Sequence, residues 1–265
     1  MEPKLTARSD ASVAAVRIER LRGVVAAAGL GAYLATSDES IAYLTGFRPL
    51  QLERFFGVVV RVDGGGAVVV PRLDEGQLSD APATLERISY TAASDGIGEL
   101  VGSLGDVGSV GVEEDHLVLA RVRALVEQGV EPVPSGALLA GLRARKDAGE
   151  VEKLERACTL VEEALANLFD ELRPGAIERD VNVRVESWLR NQGATDAHPL
   201  VLFGESAANP HGRPGPRVLR AGDVVCADLS ACLDGYWGDL TRCATVGFAS
   251  EWATQAWEVV REAQS

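Results

Sequence analysis

The stretch Val224–Arg242 reads Val-Val-Cys-Ala-Asp-Leu-Ser-Ala-Cys-Leu-Asp-Gly-Tyr-Trp-Gly-Asp-Leu-Thr-Arg. Two β-rich runs flank Asp234-Gly235, and an Asp-Gly pair in that position is a strong signal for a two-residue hairpin turn. Such a turn joins neighbouring antiparallel strands and thereby sets which residues lie opposite each other. The stretch therefore predicts a β-hairpin with a defined register.

That register pairs Ser230 with Asp239 and Asp228 with Thr241, and all four side chains then share one face. The two carboxylates lie on a diagonal, roughly 7 Å apart at Cβ or somewhat less. Like charges that close repel, and two divalent cations about 3.5–4 Å apart would compensate them. On spacing alone, an ordinary solvated face is the alternative. The opposite face is apolar and suits a core: Val225, Ala227, Leu229, Ala231 and Leu240.

Length and composition describe an ordinary globular protein. The 265 residues are 46% hydrophobic and 25% charged, which suits one or two domains with a substantial core. Lys and Arg number 26 against 39 Asp and Glu, and the net charge of −13 argues against nucleic acid or an anionic membrane as partner. The start lacks a signal-peptide pattern, and the apolar stretch around 24–35 is too short to span a bilayer. We expect a soluble, cytoplasmic protein.

The four cysteines, Cys158, Cys226, Cys232 and Cys243, have neither C-x-x-C spacing nor the pattern of a secreted framework. In the predicted register Cys226 lies opposite Cys243 on the carboxylate face. A soft metal ligand or a redox pair is one interpretation. Reduced packing residues are the interpretation that the composition favours.

Patterns along the chain predict a compact α/β domain at 1–142, followed by a second set of helices and strands at 143–265. In the first, we expect helices at 11–29 and 116–128, a helical turn from Ser37 or Asp38 through Leu44, strands at 32–35, 108–112 and 130–133, and a hairpin at 56–70. In the second, we expect helices at 147–172, 180–191 and 252–263, an extended segment at 198–202, a long loop at 204–216 and the acidic hairpin.

Three segments of the second half resemble the pita-bread metallopeptidases, the family of Xaa-Pro aminopeptidase and Xaa-Pro dipeptidase (prolidase). They are His-Pro-Leu-Val-Leu-Phe-Gly-Glu-Ser-Ala-Ala-Asn-Pro-His-Gly at 198–212, Leu-Arg-Ala-Gly-Asp-Val-Val-Cys-Ala-Asp-Leu-Ser at 219–230, and Gly-Tyr-Trp-Gly-Asp-Leu-Thr-Arg at 235–242. Upstream, 143–157 is similar to the family's entry helix. Ser-Asp-Glu-Ser-Ile-Ala-Tyr-Leu-Thr-Gly-Phe at 37–47 is similar to its amino-terminal creatinase-like domain.

The resemblance implies a site as well as a fold. It implies that Asp228 and Asp239 bind two divalent metal ions, manganese by preference or else cobalt or zinc, with Asp239 bridging them. It implies that His211 contacts substrate near the reacting carbonyl. The implied substrate is a short peptide with proline in the second position, and the implied assembly is a homodimer. His198, next to Pro199, is interpreted as structural.

The sequence departs from the family pattern in two ways. The family site has three further ligands, a His and two Glu, and no histidine follows His211 here. Ser230 also stands where the family commonly has Gly. The resemblance therefore implies an incomplete α+β pita-bread domain after the α/β creatinase-like domain, and we expect little or no turnover from these 265 residues. A non-catalytic pita-bread binding protein and a metal-free creatinase-like amidinohydrolase are the alternatives, and retention of Asp228, Asp239 and His211 disfavours both.

Overall fold

The computed structural model describes residues 10–78 and 81–265. The described chain divides into two compact units between Arg145 and Lys146. The domain boundary expected from the sequence, between 142 and 143, stays a prediction. In the described residues, no helix is both long and apolar enough to cross a membrane.

The first unit is a six-stranded mixed sheet with helices on both faces. The strand order is β4-β3-β2-β1-β5-β6, and β2 runs antiparallel to its two neighbours while the other pairs are parallel. The strands are β1 (Ala32–Ala35), β2 (Gly57–Arg61), β3 (Gly66–Pro71), β4 (Glu86–Tyr90), β5 (Ser109–Val112) and β6 (Glu131–Pro134). The helices are α1 (Asp10–Ala27), α2 (Asp38–Thr45), α3 (Ile97–Leu104), α4 (Leu119–Glu127) and α5 (Gly136–Arg143), with a 3-10 turn at Glu75–Gln77.

Side chains alternate between the two faces along each strand, so each face of the sheet packs against its own layer of helices. In β1, Tyr33 and Ala35 pack with α1, α2 and α5, whereas Ala32 and Leu34 pack with α3 and α4. All four are fully buried, as expected for a central strand covered on both faces. The first unit is therefore a three-layer α/β/α sandwich.

The Ser37–Phe47 segment contains α2, and the start of this helix contacts the Glu113 carboxylate, which follows the neighbouring strand β5. Ser37 caps the helix by accepting a hydrogen bond from the N–H of Ser40. The buried Glu113, just after β5, accepts hydrogen bonds from the N–H groups of Thr36 and Ser37 at 2.5 and 2.8 Å and from the Ser40 hydroxyl. Glu113 thereby joins the carboxyl ends of β1 and β5.

The second unit packs two helices on one face of a three-stranded antiparallel sheet of order β7-β8-β9. The strands are β7 (Asp196–Phe203), β8 (Val224–Leu233) and β9 (Tyr236–Thr245), and the two packed helices are α6 (Ala148–Glu171) and α7 (Glu178–Asn191). A third helix, α8 (Glu251–Gln264), follows β9 and has no buried residue. A 3-10 turn at Gly204–Ala208 follows β7.

A capping box begins α6. The Asp147 side chain accepts a hydrogen bond from the N–H of Glu150, and the Glu150 side chain accepts one from the N–H of Asp147, both at 2.9 Å. The long helix expected at 147–172 thus begins at Ala148, just inside its predicted start.

Candidate metal centre

The hairpin turn has the predicted two-residue form. Asp234 and Gly235 have φ angles of 49° and 79°, and Leu233 pairs with Tyr236 across them. Two positive φ angles are the signature of a type I′ turn, for which Asp-Gly is a preferred sequence. Asp234 also forms an ion pair with Arg156 of α6, with 2.8 Å between Nη1 and Oδ2. The turn is therefore fixed both by its own sequence and by the helix beneath it.

The register predicted for the two aspartates is confirmed. Ser230 pairs with Asp239, and Asp228 pairs with Thr241. Counted from the pair that closes the turn, both are non-hydrogen-bonded pairs, the class in which opposing side chains lie closest. The Thr241 hydroxyl accordingly donates a hydrogen bond of 2.5 Å to Oδ1 of Asp228. The carboxylates are diagonal neighbours on one face.

Burial differs sharply between the two faces of the hairpin. Asp239 is exposed and Asp228 is half-buried, whereas Leu240 packs against the core. A slip of one residue would exchange the faces and bury both carboxylates, so the core enforces the register. The strand residues at 0% exposure on the opposite face are Val225, Ala227, Leu229 and Ala231.

Gly238, immediately before Asp239, is required by the helix. A Cβ atom at this position would lie 2.3 Å from the carbonyl oxygen of Ala157 and 2.8 Å from the N atom of Cys158. The backbone of α6 therefore passes directly over β9 at Gly238. Because neighbouring residues of a strand point to opposite faces, this contact directs Asp239 away from the helix.

His198 lies on the same face as the aspartates, which reasoning from the sequence missed. It pairs with Ser230, the partner of Asp239, so the three occupy one row across the sheet. The His198 ring lies 3.2 Å from Oδ2 of Asp196, and its centroid lies 5.4 Å from that of Trp237. Its structural interpretation stays a prediction. The register of β7 depends on long-range pairing, so no local signal reveals this position.

The pKa of Asp196, the carboxylate beside His198, lies below its usual value. Desolvation opposes the shift, but hydrogen bonds from the Ala197 N–H and the His198 ring lower the pKa of Asp196. Asp196 is half-buried at the start of β7 and also contacts Arg190 at 3.3 Å. The exposed face thus carries a third carboxylate at its edge, and its negative charge is stabilised by Arg190 and by the Ala197 N–H.

His211 lies in the loop that follows β7, and its side chain is exposed. Its N–H donates to Oδ1 of Asn209 at 3.4 Å. A Cβ on the next residue, Gly212, would lie 3.1 Å from Cδ1 of Leu202, whose cross-strand partner is Cys226. The loop therefore returns on the aspartate side of the sheet. Among the described residues, no hydrogen bond or ion pair joins His211 to either aspartate.

Glu178, which reasoning from the sequence also missed, fixes both ends of this loop. Its side chain is 1% exposed in the first turn of α7. Its Oε2 accepts the N–H of Phe203 and its Oε1 accepts that of Gly215, each at 2.8 Å. The two donors lie 25 and 37 residues along the chain. Sequence spacing gives no signal for contacts of that range.

Two cysteines border the aspartates. Cys226 pairs with Cys243 two residue pairs beyond the Asp228–Thr241 pair on the same face. Burial, together with the adjacent Cys243 and Asp228, raises the pKa of Cys226 to about 11. The Cys226 thiol is therefore protonated at neutral pH.

The donor set of this face suits hard divalent cations, although it is small. Carboxylate oxygens are the ligands that such cations prefer, and Asp228 and Asp239 present theirs on one accessible face. Within 10–78 and 81–265, no group of three His, Cys, Asp or Glu side chains is arranged to hold a metal ion. The described residues thus offer two carboxylates on this face as candidate ligands.

Comparison with known proteins identifies the family. Residues 17–145 match the Creatinase/Prolidase N-terminal domain, and residues 152–265 match Metallopeptidase family M24. The chain thus carries a Creatinase/Prolidase N-terminal domain followed by a domain of Metallopeptidase family M24. The predicted family and the predicted succession of a creatinase-like α/β domain and a pita-bread domain are confirmed.

Relatives of this M24 chain include an uncharacterized peptidase of Staphylococcus aureus (strain MSSA476), 27% identical over 235 residues. That match covers 87% of this chain and 66% of the relative. The Xaa-Pro dipeptidase from Bacillus anthracis superposes with a TM-score of 0.84 at 29% identity, covering 95% of this chain and 70% of that one. A prolidase from Thermococcus sibiricus gives 0.84 at 28%, covering 94% and 70%. The chain thus spans about two thirds of these proteins' length.

Proposed function

We propose that this M24 chain serves metal-dependent hydrolysis of short peptides that carry proline in the second position. The observation that carries the proposal is the placement of Asp228 and Asp239 as diagonal neighbours on one accessible face. The similarity to an Xaa-Pro dipeptidase and a prolidase supports the proline preference. We propose two divalent ions as cofactors, manganese by preference or else cobalt or zinc.

The residues of the face have distinct roles in this proposal. Asp228 and Asp239 bind the cations, and the Thr241 hydroxyl orients the Asp228 carboxylate. Bound divalent cations lower the pKa of water and polarise a scissile carbonyl. His211 donates a hydrogen bond to the substrate carbonyl as negative charge develops on its oxygen. Proline has no N–H, so a site selective for it recognises the shape of its ring.

A pair of carboxylates makes a weak metal site, because affinity rises with ligand number and preorganisation. We therefore propose that these 265 residues by themselves bind divalent metal weakly and show little or no turnover. The net charge of −13 supports a small peptide rather than a nucleic acid as partner.

The first experiment measures Mn²⁺ affinity by the electron paramagnetic resonance signal of free Mn²⁺. Asp228→Asn and Asp239→Asn should each weaken binding by about tenfold or more, since each removes one of two charged ligands. Asp234→Asn is the matched control: it neutralises an aspartate of the same hairpin and keeps a sequence that suits the turn. Equal affinity in all three variants and the parent would contradict the proposed ligands.

The second experiment compares hydrolysis of Ala-Pro and Ala-Ala dipeptides in Mn²⁺, with and without EDTA. We expect cleavage near the limit of detection, confined to Ala-Pro and abolished by the chelator. Rapid chelator-sensitive cleavage of Ala-Pro would contradict the proposed impairment. Cleavage of Ala-Pro that persists in EDTA would contradict the proposed metal dependence.

We also propose that the protein forms a homodimer in the cytoplasm. Family resemblance is the support for the dimer, and a cysteine pattern unlike that of a secreted framework supports the compartment. Light scattering coupled to size-exclusion chromatography tests the first point. A mass of one 28.0 kDa chain at micromolar concentration would contradict it.

A further inference from the structure

Cys226 and Cys243 are direct cross-strand partners at the open end of the hairpin. Counted from the pair that closes the turn, theirs is again a non-hydrogen-bonded pair, with Cα atoms about 4.5 Å apart. Disulfides require Cα separations of about 4.4–6.8 Å. The backbone therefore already holds these two residues at a distance that a disulfide can bridge.

The side chains satisfy the remaining requirements. Both project from the same face because they are paired. Both cysteines are free, Cys243 is exposed and Cys226 is half-buried. An oxidant can thus reach the Cys243 sulfur from solvent, while Cys226 lies beside it on the neighbouring strand. Cys158 and Cys232 are also free but are not cross-strand partners of either.

We propose that Cys226 and Cys243 are an oxidation site that closes into a reversible cross-strand disulfide, with a low-molecular-weight disulfide as oxidant. The Cys243 thiolate attacks one sulfur of the oxidant, forms a mixed disulfide and expels one thiolate. The Cys226 thiol then gives its proton to solvent, and its sulfur attacks Cys243, closes the protein disulfide and expels the second thiolate, which takes up a proton. The protein loses two electrons and two protons, and the oxidant gains them as two free thiols.

The bond would lie two residue pairs from the Asp228–Thr241 pair and would join β8 to β9, an edge strand of the sheet. It would prevent separation of the two strands at the end away from the turn. This inference concerns only the two cysteines and does not rest on the proposed hydrolase function.

The test incubates the full chain with reduced and oxidised glutathione in varied ratio, alkylates free thiols at low pH and digests with trypsin. Arg242 separates the two cysteines, so the disulfide links peptide 221–242 to peptide 243–261. We expect this linked pair in at least half of the chains at oxidising ratios and its loss on reduction. Fragmentation of the linked pair distinguishes Cys226 from Cys232, which shares its peptide.

Cysteine variants complete the experiment. Cys158→Ser and Cys232→Ala should keep the linked pair, whereas Cys243→Ser, at an exposed position, should abolish it. Circular dichroism checks that each variant is folded, and the parent chain gives the decisive result whether or not Cys226→Ser folds. Full alkylation of both cysteines at every ratio would overturn the proposal. So would Cys243 remaining joined to glutathione, or a link from either residue to Cys158 or Cys232.

Discussion

Gly238 shows how one missing side chain determines the position of its neighbour Asp239. Its Cα faces the backbone of α6, and a methyl group there would lie 2.3 Å from the Ala157 carbonyl oxygen. Neither backbone segment can yield as a flexible side chain would. The glycine therefore lets the helix lie on β9 and leaves Asp239 on the free face.

Gly238→Ala should lower the free energy of unfolding by about 2 kcal/mol, the usual cost of overpacking against rigid neighbours. Urea unfolding measured by circular dichroism gives the value. Gly149→Ala is the matched control, since Gly149 is an exposed residue of α6 whose added Cβ would meet only an ordinary 3.4 Å contact. Similar stability of the two variants would show that the helix can move away from the strand.

The acidic hairpin was predictable because the sequence features that specify its turn and its faces are local. Asp234-Gly235 specifies a turn with two positive φ angles, and the period of two along each strand specifies the faces. Both kinds of information lie within about twenty residues. Register, exposed face and buried face follow from them without knowledge of the rest of the chain.

Other elements carry weak or contrary local signals. Helix α3 is not predicted from the sequence, because Gly98 and Gly102 each disfavour a helix by about 1 kcal/mol relative to Ala. Nor are α5 and the edge strand β4, whose Glu-Arg-Ile-Ser-Tyr sequence is exposed at its start. In these elements, packing against the sheet outweighs propensity, and packing partners are distant in sequence.

The loop after β7 illustrates the same limit within the site. Its Gly, Asn and Pro residues predict a long loop. The position of that loop depends on Glu178, which accepts hydrogen bonds from the N–H groups of Phe203 and Gly215. Placement of His211 on the aspartate side therefore depends on a buried carboxylate in a helix. Only the folded chain brings these groups together.

Glu178→Gln should destabilise the protein by about 1–3 kcal/mol, because an amide has one accepting oxygen and leaves one buried N–H unsatisfied. We also expect faster proteolysis within 204–216, since one end of the loop loses its anchor. Limited proteolysis with mass spectrometry locates the cuts. Asp180→Asn, an exposed position in the same helical turn, is the control. Equal cleavage in both variants would contradict the role of Glu178 in holding the two ends of the loop.

At the scale of the whole molecule, the two compact units should respond differently to metal. The proposed ligands Asp228 and Asp239 both belong to the second unit, and a ligand stabilises the region whose folded form binds it. Mn²⁺ at 100 times its dissociation constant adds about 2.7 kcal/mol to the opening free energy of that region. The first unit contains neither residue and should be unaffected.

Hydrogen exchange resolved by peptide measures this difference directly. Amides of 224–245 should exchange about a hundredfold more slowly at that Mn²⁺ concentration, whereas amides of 57–71 in the first unit should keep their rates. The protection should vanish in the Asp228→Asn/Asp239→Asn double variant and persist in Asp234→Asn, because only the former removes the charged ligands. Uniform protection of both units, or protection that survives the double substitution, would place the metal elsewhere and remove the physical basis of the proposed hydrolase.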